Sequence, residues 1–150
     1  MNAITLVLPP AVSSNRYWRT YMPKGFKAPV TTLSKEAKEY KATVARIARE
    51  SGVVAPIPGR VAVSYTLYPK RPQDYAKRMR LDPQRWDDTV QCLDLDNALK
   101  VMLDSLKGIV FEDDKFVHEL HGRRAEPDGD GRLVVTISPM LVDSPQPSLI

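Results

Sequence analysis

Cys92-Leu-Asp-Leu-Asp-Asn-Ala-Leu-Lys-Val-Met-Leu-Asp-Ser-Leu-Lys-Gly-Ile-Val-Phe-Glu-Asp-Asp-Lys115 holds both the element on which the fold turns and the side chains on which the chemistry turns. From Leu95 the apolar positions Leu95, Leu99, Met102 and Leu106 mark one face, while Asp96, Lys100, Asp104 and Lys107 take the other. That pattern predicts an amphipathic helix, ended by Gly108. Carboxylates gather at its two ends, Asp94 and Asp96 at the start and Glu112, Asp113 and Asp114 after the stop. Were the fold to bring those ends together, the unpaired carboxylates would raise one another's pKa unless a cation lay between them. A hard divalent ion with oxygen ligands, Mg²⁺ or Mn²⁺, removes that conflict.

Working outward, Ile4–Leu8 reads as a strand closed by Pro9-Pro10, which cannot continue a ladder. A long loop is read after Pro10, within which Ser13–Arg19 mixes polar, basic and aromatic side chains and Lys24–Pro29 has no periodicity. Ser34 then stands as an N-cap, with Glu36 in the first turn and Ala37, Tyr40, Val44, Ile47 and Ala48 repeating as a core-packing helix that Gly52 stops. Arg60–Tyr68 is rich in β-branched and aromatic residues and predicts a strand. Two more strands are expected at 116–124 and 132–138, joined by the turn-rich Pro127-Asp-Gly-Asp-Gly131. The resulting order is an α+β domain, with two main helices packed on one face of a small mixed or antiparallel sheet. The strand order is not legible at this level.

A chain of 150 residues fits one domain, here 1–150, with 141–150 expected as a disordered tail. The single cysteine, Cys92, excludes an intrachain disulfide and a cysteine-based zinc site, and suits a reducing cytoplasm. The apolar run at the start is too short to span a bilayer, so no membrane partner is expected. Net charge is +4, and one segment accounts for it: between Lys70 and Arg85 six cations face only Asp74 and Asp82. Concentrated positive charge beside an acidic cluster suits a metal-dependent enzyme acting on a polyanion, although a solvated basic loop is the plainer reading.

Each chemical candidate has a plain structural counterpart. Asp94 or Asp96 alone could simply cap the helix. A calcium loop fails, because Ala98 and Leu99 stand where a ligand and a glycine are required. Lys100 lies one turn from both Asp96 and Asp104, as in an exposed ion-pair ladder, yet an ammonium there would also stabilise charge developing on a phosphoryl group. Asp104, two turns from Asp96, is too far to share one ion and is expected to pair with Lys100 or Lys107. His118 and His121 point to opposite faces of a strand and cannot chelate together. Cys92 reads as a packing residue, and neither a serine triad nor a glycine-rich phosphate loop is visible.

The segment Asp94-Leu-Asp-Asn-Ala-Leu-Lys100, followed by Asp104-Ser-Leu, Gly108-Ile-Val-Phe and Asp113-Asp114, resembles the RusA-type Holliday junction resolvases, small endodeoxyribonucleases of bacteria and their phages. Pro9-Pro10, Ser14-Asn15-Arg16, Trp18-Arg19 and the basic segment extend the resemblance over most of the chain. It implies that Asp94, Asp96 and one of the closing pair, Asp114 ahead of Asp113, bind the catalytic metal, and that Lys100 is required for cleavage. It also implies a homodimer that binds four-way DNA and nicks two strands symmetrically. Arg71, Lys77, Arg78 and Arg80 would then hold phosphates, with Asn15, Arg16, Trp18 and Asn97 as further DNA contacts. The stretch 73–91 is longer than in the shortest members. Competing readings are a non-catalytic junction-binding protein, a nuclease for other branched DNA, and a phosphoesterase for free nucleotides, which would need no broad basic surface.

Overall fold

In the computed structural model, residues 2–141 are described. The elements run β1 (Ile4–Leu8), α1 (Ser14–Tyr17), β2 (Trp18–Tyr21), β3 (Val30–Leu33), α2 (Lys35–Glu50), β4 (Val61–Tyr68), α3 (Tyr75–Leu81), a 3₁₀ turn at Trp86–Thr89, α4 (Leu95–Leu106), a 3₁₀ turn at Asp114–Phe116, β5 (Val117–Arg124) and β6 (Arg132–Pro139). The tail expected over 141–150 lies, from 142 onward, outside the described residues.

The main sheet has the order β1-β6-β4-β5 and is mixed: β6 runs antiparallel to both β1 and β4, and β5 parallel to β4. Alternation decides which face is covered. Leu6 and Leu8, Val61, Val63, Tyr65 and Leu67, and Leu133, Val135 and Ile137 all turn inward, where α2 contributes Tyr40 and Val44 and α4 contributes Val101, Met102 and Leu106 to one core. The opposite face is open, with Val7 more than half exposed and the Thr5 and Thr136 hydroxyls 2.9 Å apart. Both main helices therefore lie on one side of a small mixed sheet, as the α+β reading requires.

The helix signals act as expected. Ser34 Oγ accepts from the Ala37 N–H at 3.1 Å, and Gly52 and Gly108 close α2 and α4 with φ of 95° and 78°, a conformation that a Cβ disfavours. Two expectations need correction. The long loop after Pro10 contains a helical turn and an antiparallel hairpin, in which Trp18 pairs with Leu33 and Tyr21 with Val30. The basic loop contains the helix α3, built from the good helix formers Ala76, Lys77, Arg78, Met79, Arg80 and Leu81. It buries none of them, so it lacks the periodic apolar signature. The linker 125–131 joins β5 and β6 as expected, and the strand order left open is now set: the linker passes the end of β4, where Arg71 N–H donates to Gly129 O at 2.8 Å and Ala125 N–H to Leu67 O at 2.9 Å.

Gly122 of β5 stands opposite Tyr65 of β4, and a Cβ on it would fall 2.5 Å from Tyr65 Cζ. Tyr65 is buried and cannot swing away freely. Gly122→Ala is expected to lower stability by about 1–3 kcal/mol, as overpacking does, read as a lower urea midpoint at unchanged slope.

Candidate active site

Asp94 precedes α4 with extended backbone (φ −65°, ψ 152°), and its carbonyl accepts the first helical bond from the Ala98 N–H at 3.0 Å. Its side chain makes no capping hydrogen bond, so capping does not account for the residue. Asp96 follows in the first turn, where the helix dipole favours an anion. Both carboxylates are exposed, and among the described residues neither takes part in an ion pair or a side-chain hydrogen bond. One turn further on, Lys100 is likewise exposed and unpaired among the described residues. The ion-pair ladder expected along α4 is therefore absent there. Asp104 turns instead toward α1 and α2, accepting from the Tyr17 hydroxyl and facing Lys41 Nζ at 3.7 Å, while Lys107 pairs with Asp113 at 3.8 Å.

Neighbouring elements hold this helix start in place. The Tyr65 hydroxyl donates to Leu95 O at 3.0 Å, and burial, with the Asp96 charge adding, holds that phenol above its ordinary pKa. Asn97, expected at the DNA, uses its Oδ1 to accept the Ser14 N–H at 2.7 Å and so ties α1 to α4. Arg124, at the end of β5, donates to Val90 O at 2.8 Å and Asp87 O at 3.3 Å, fixing the segment that leads into Asp94. Burial raises the Cys92 thiol, opposed by the Arg124 guanidinium and assisted by the Asp94 carboxylate. Tyr65 and Arg124 sit on strands legible in the sequence, but their roles arise only from tertiary packing.

The closing carboxylates do not join the first pair. Asp113 accepts from Lys115 N–H at 3.1 Å and pairs with Lys107 at the far end of α4, a 12-residue helix about 18 Å long. Asp114 follows there, exposed, ahead of β5. Among the described residues no three acidic, histidine or cysteine side chains assemble as a ligand set. Helix α4 thus lies between Asp94 and Asp96 at its start and Asp113 beside Lys107 at its end. Asp94 and Asp96 alone still fit Mg²⁺, which takes one or two carboxylates and keeps waters or substrate oxygens in its other positions.

The basic segment presents Lys77 and Arg80 on α3, exposed and unpaired among the described residues. Arg71 is exposed and stacks on the Tyr75 ring at 3.9 Å. Arg78 is half-buried and internally engaged, with Asp74 at 2.9 Å and with Thr89 O and Oγ1 at 3.1 Å, so it secures α3 rather than offering a free cation. Near the start of the chain, Asn15 is exposed and Arg16 pairs with Glu36. Trp18 packs edge-on against Tyr17 with ring centroids 4.7 Å apart, half-buried against the core. No helix among the described residues is long and apolar enough to cross a membrane.

An exposed carboxylate pair thus stands at the start of α4, with Lys100 one turn beyond. The family model for endodeoxyribonuclease RusA matches residues 8–138, a span that includes the whole site. The chain belongs to the RusA endodeoxyribonuclease family. No curated protein matches it significantly.

Burial, and then the Asp104 contact, push the Tyr17 phenol above its ordinary range. Stability from neutral Tyr17 is thus complete below pH of about 10 and falls away as pH climbs through the raised folded value. Tyr17→Phe should cost about 1.5 kcal/mol at pH 7 and flatten the alkaline loss, as measured by urea unfolding from pH 7 to 11.

Proposed function

We propose that this protein is a divalent-metal-dependent endodeoxyribonuclease that acts on four-way DNA as a homodimer and resolves Holliday junctions by paired symmetric nicks. The observation that carries the reading is the pair Asp94 and Asp96, exposed and uncommitted at the start of α4, with Lys100 one turn beyond. Asp94 and Asp96 would hold Mg²⁺, or Mn²⁺ in its place; such an ion, when bound, polarises a phosphoryl oxygen and makes a bound water acidic enough to attack near neutral pH. Lys100 then stabilises the charge that develops on the phosphoryl group. Lys77, Arg80 and Arg71 hold flanking phosphates, giving an affinity that falls steeply with salt. Asn15 and Arg16 extend this contact from α1. A non-catalytic binding module is disfavoured, since it leaves Asp94 with no role once capping is removed.

The third carboxylate implied by the resemblance, Asp114, lies a helix length from the pair. On this reading it completes the ligand set from a second copy, so that the dimer serves the site as well as symmetric cutting.

With a mobile four-way junction and matched linear duplex, wild type in Mg²⁺ should give paired symmetric nicks in the junction alone. Asp94→Asn and Asp96→Asn should each lower the rate at least about 1,000-fold and Lys100→Ala about 100-fold or more, with junction binding kept in gel shift. Tight binding without metal-dependent cutting would leave only the binding module. Mixing Asp96→Asn with Asp114→Asn subunits should restore single nicks, since one of the two sites in the mixed dimer then keeps both carboxylates. No recovery on mixing would return Asp114 to its own chain's site, and full activity of the Asp114→Asn homodimer by itself would remove Asp114 from the chemistry.

A further inference from the structure

The strands that end nearest the Asp94 segment leave a cleft between their loops. Its volume is about 170 Å³, and it lies where the loop after β1, the end of β4, the start of β6 and residues 91–93 meet. Leu67 and Pro69 are its buried lining, Cys92 and Leu93 are half-buried, and Lys70 and Gln91 are exposed at its mouth. Gly131 lets its walls approach closely, since a Cβ there would stand 3.3 Å from both Lys70 N and Pro10 Cγ. None of the roles assigned above uses this space.

We propose that this cleft binds a single nucleobase, taken from the DNA strand next to the bond that is cut. The proposal rests on the nuclease reading and adds a subsite to it. Three features select the ligand. Drug-sized molecules need about 300 Å³ or more, so the volume suits one flat ring system. An apolar lining with an ammonium and a carboxamide at the mouth matches a base, which is apolar on its faces and polar at its edge. Finally, Leu93 of the lining is followed directly in the chain by Asp94, which puts the cleft wall one residue from the carboxylate pair and makes a base near the bond that is cut the occupant we assign. At a branch point the bases are already poorly stacked, and withdrawing one costs least there. Gln91 can both donate to and accept from the base edge, which would let the pocket favour one base over another at the cleavage point.

Cys92 is the only cysteine of the chain, so maleimide labelling reports on this cleft alone. The experiment uses the full chain in EDTA, with labelling rates measured alone, with saturating junction, and with junctions made abasic one position at a time around the cut. Junction should slow labelling at least 10-fold, and one abasic position should restore it without weakening binding in gel shift. 2-Aminopurine at that same position should brighten on binding, and Gly131→Val, which narrows the cleft, should abolish the brightening while junction binding persists. Protection that no abasic position relieves, or unchanged labelling in a bound junction that is cut normally in Mg²⁺, would overturn the pocket and leave the nuclease standing. Protection that grows with protein concentration in the absence of DNA would assign the cleft to a second copy instead. Failure to bind or cut junctions at all would remove both readings.

Discussion

The position of α4 depends on one contact that neither the helix nor the sheet makes alone. Tyr65 reaches from the middle of β4, with its ring crossing the bare backbone of Gly122, to donate to the carbonyl of Leu95. The bond alone contributes little, on the order of 1 kcal/mol net. Its geometric effect is larger, because it sets how far the first turn of α4 stands from the sheet. Asp94 and Asp96 flank the residue being held. Gly122, Tyr65 and the acidic pair thus form one chain of dependence running from an edge strand to the chemistry.

Around that point the molecule separates structural charge from free charge. Asp104, Lys41, Lys107, Asp113, Arg78 and Asp74 face partners within the chain, and their worth lies in fixing elements relative to one another. Asp94, Asp96, Lys100, Lys77 and Arg80 are exposed and have no such partners among the described residues. Residues of the same type on the same helix can belong to either set: Asp96 and Asp104 lie two turns apart on α4, and only the second faces a tyrosine hydroxyl. Surface ion pairs contribute modestly to stability, so leaving the first set unpaired costs the fold little.

The elements legible in the sequence were those that bury a periodic face. α2, α4, β1, β4 and β6 all carry apolar residues at the spacing of their own geometry, and their boundaries follow from caps and glycines that act locally. The hairpin of β2 and β3 and the helix α3 could not be read that way, because α3 buries no side chain and β2 buries none fully. Strand order was hidden for a different reason: β5 and β6 are consecutive in sequence yet sit on opposite sides of β4, an arrangement set by packing. The site was legible in part. Asp94, Asp96 and Lys100 announce themselves by type and spacing within one helix turn, a distance local geometry can measure. Where Asp113 and Asp114 stand depends on the path of the chain after α4, which sets Asp113 beside Lys107, and no local spacing encodes that path.

The parallel pairing of β4 with β5 also governs when the protein becomes competent during folding. Val61 meets Val117 only after everything between them, including α3 and the whole acidic helix, has been gathered into a closed loop. Closing so long a loop is entropically demanding, and contacts of such wide separation form late. Gly122 and Arg124, which position the approach to Asp94, lie on the strand that completes this closure. The approach to α4 therefore reaches its final position only when β5 docks beside β4 and Arg124 meets the carbonyls of Asp87 and Val90.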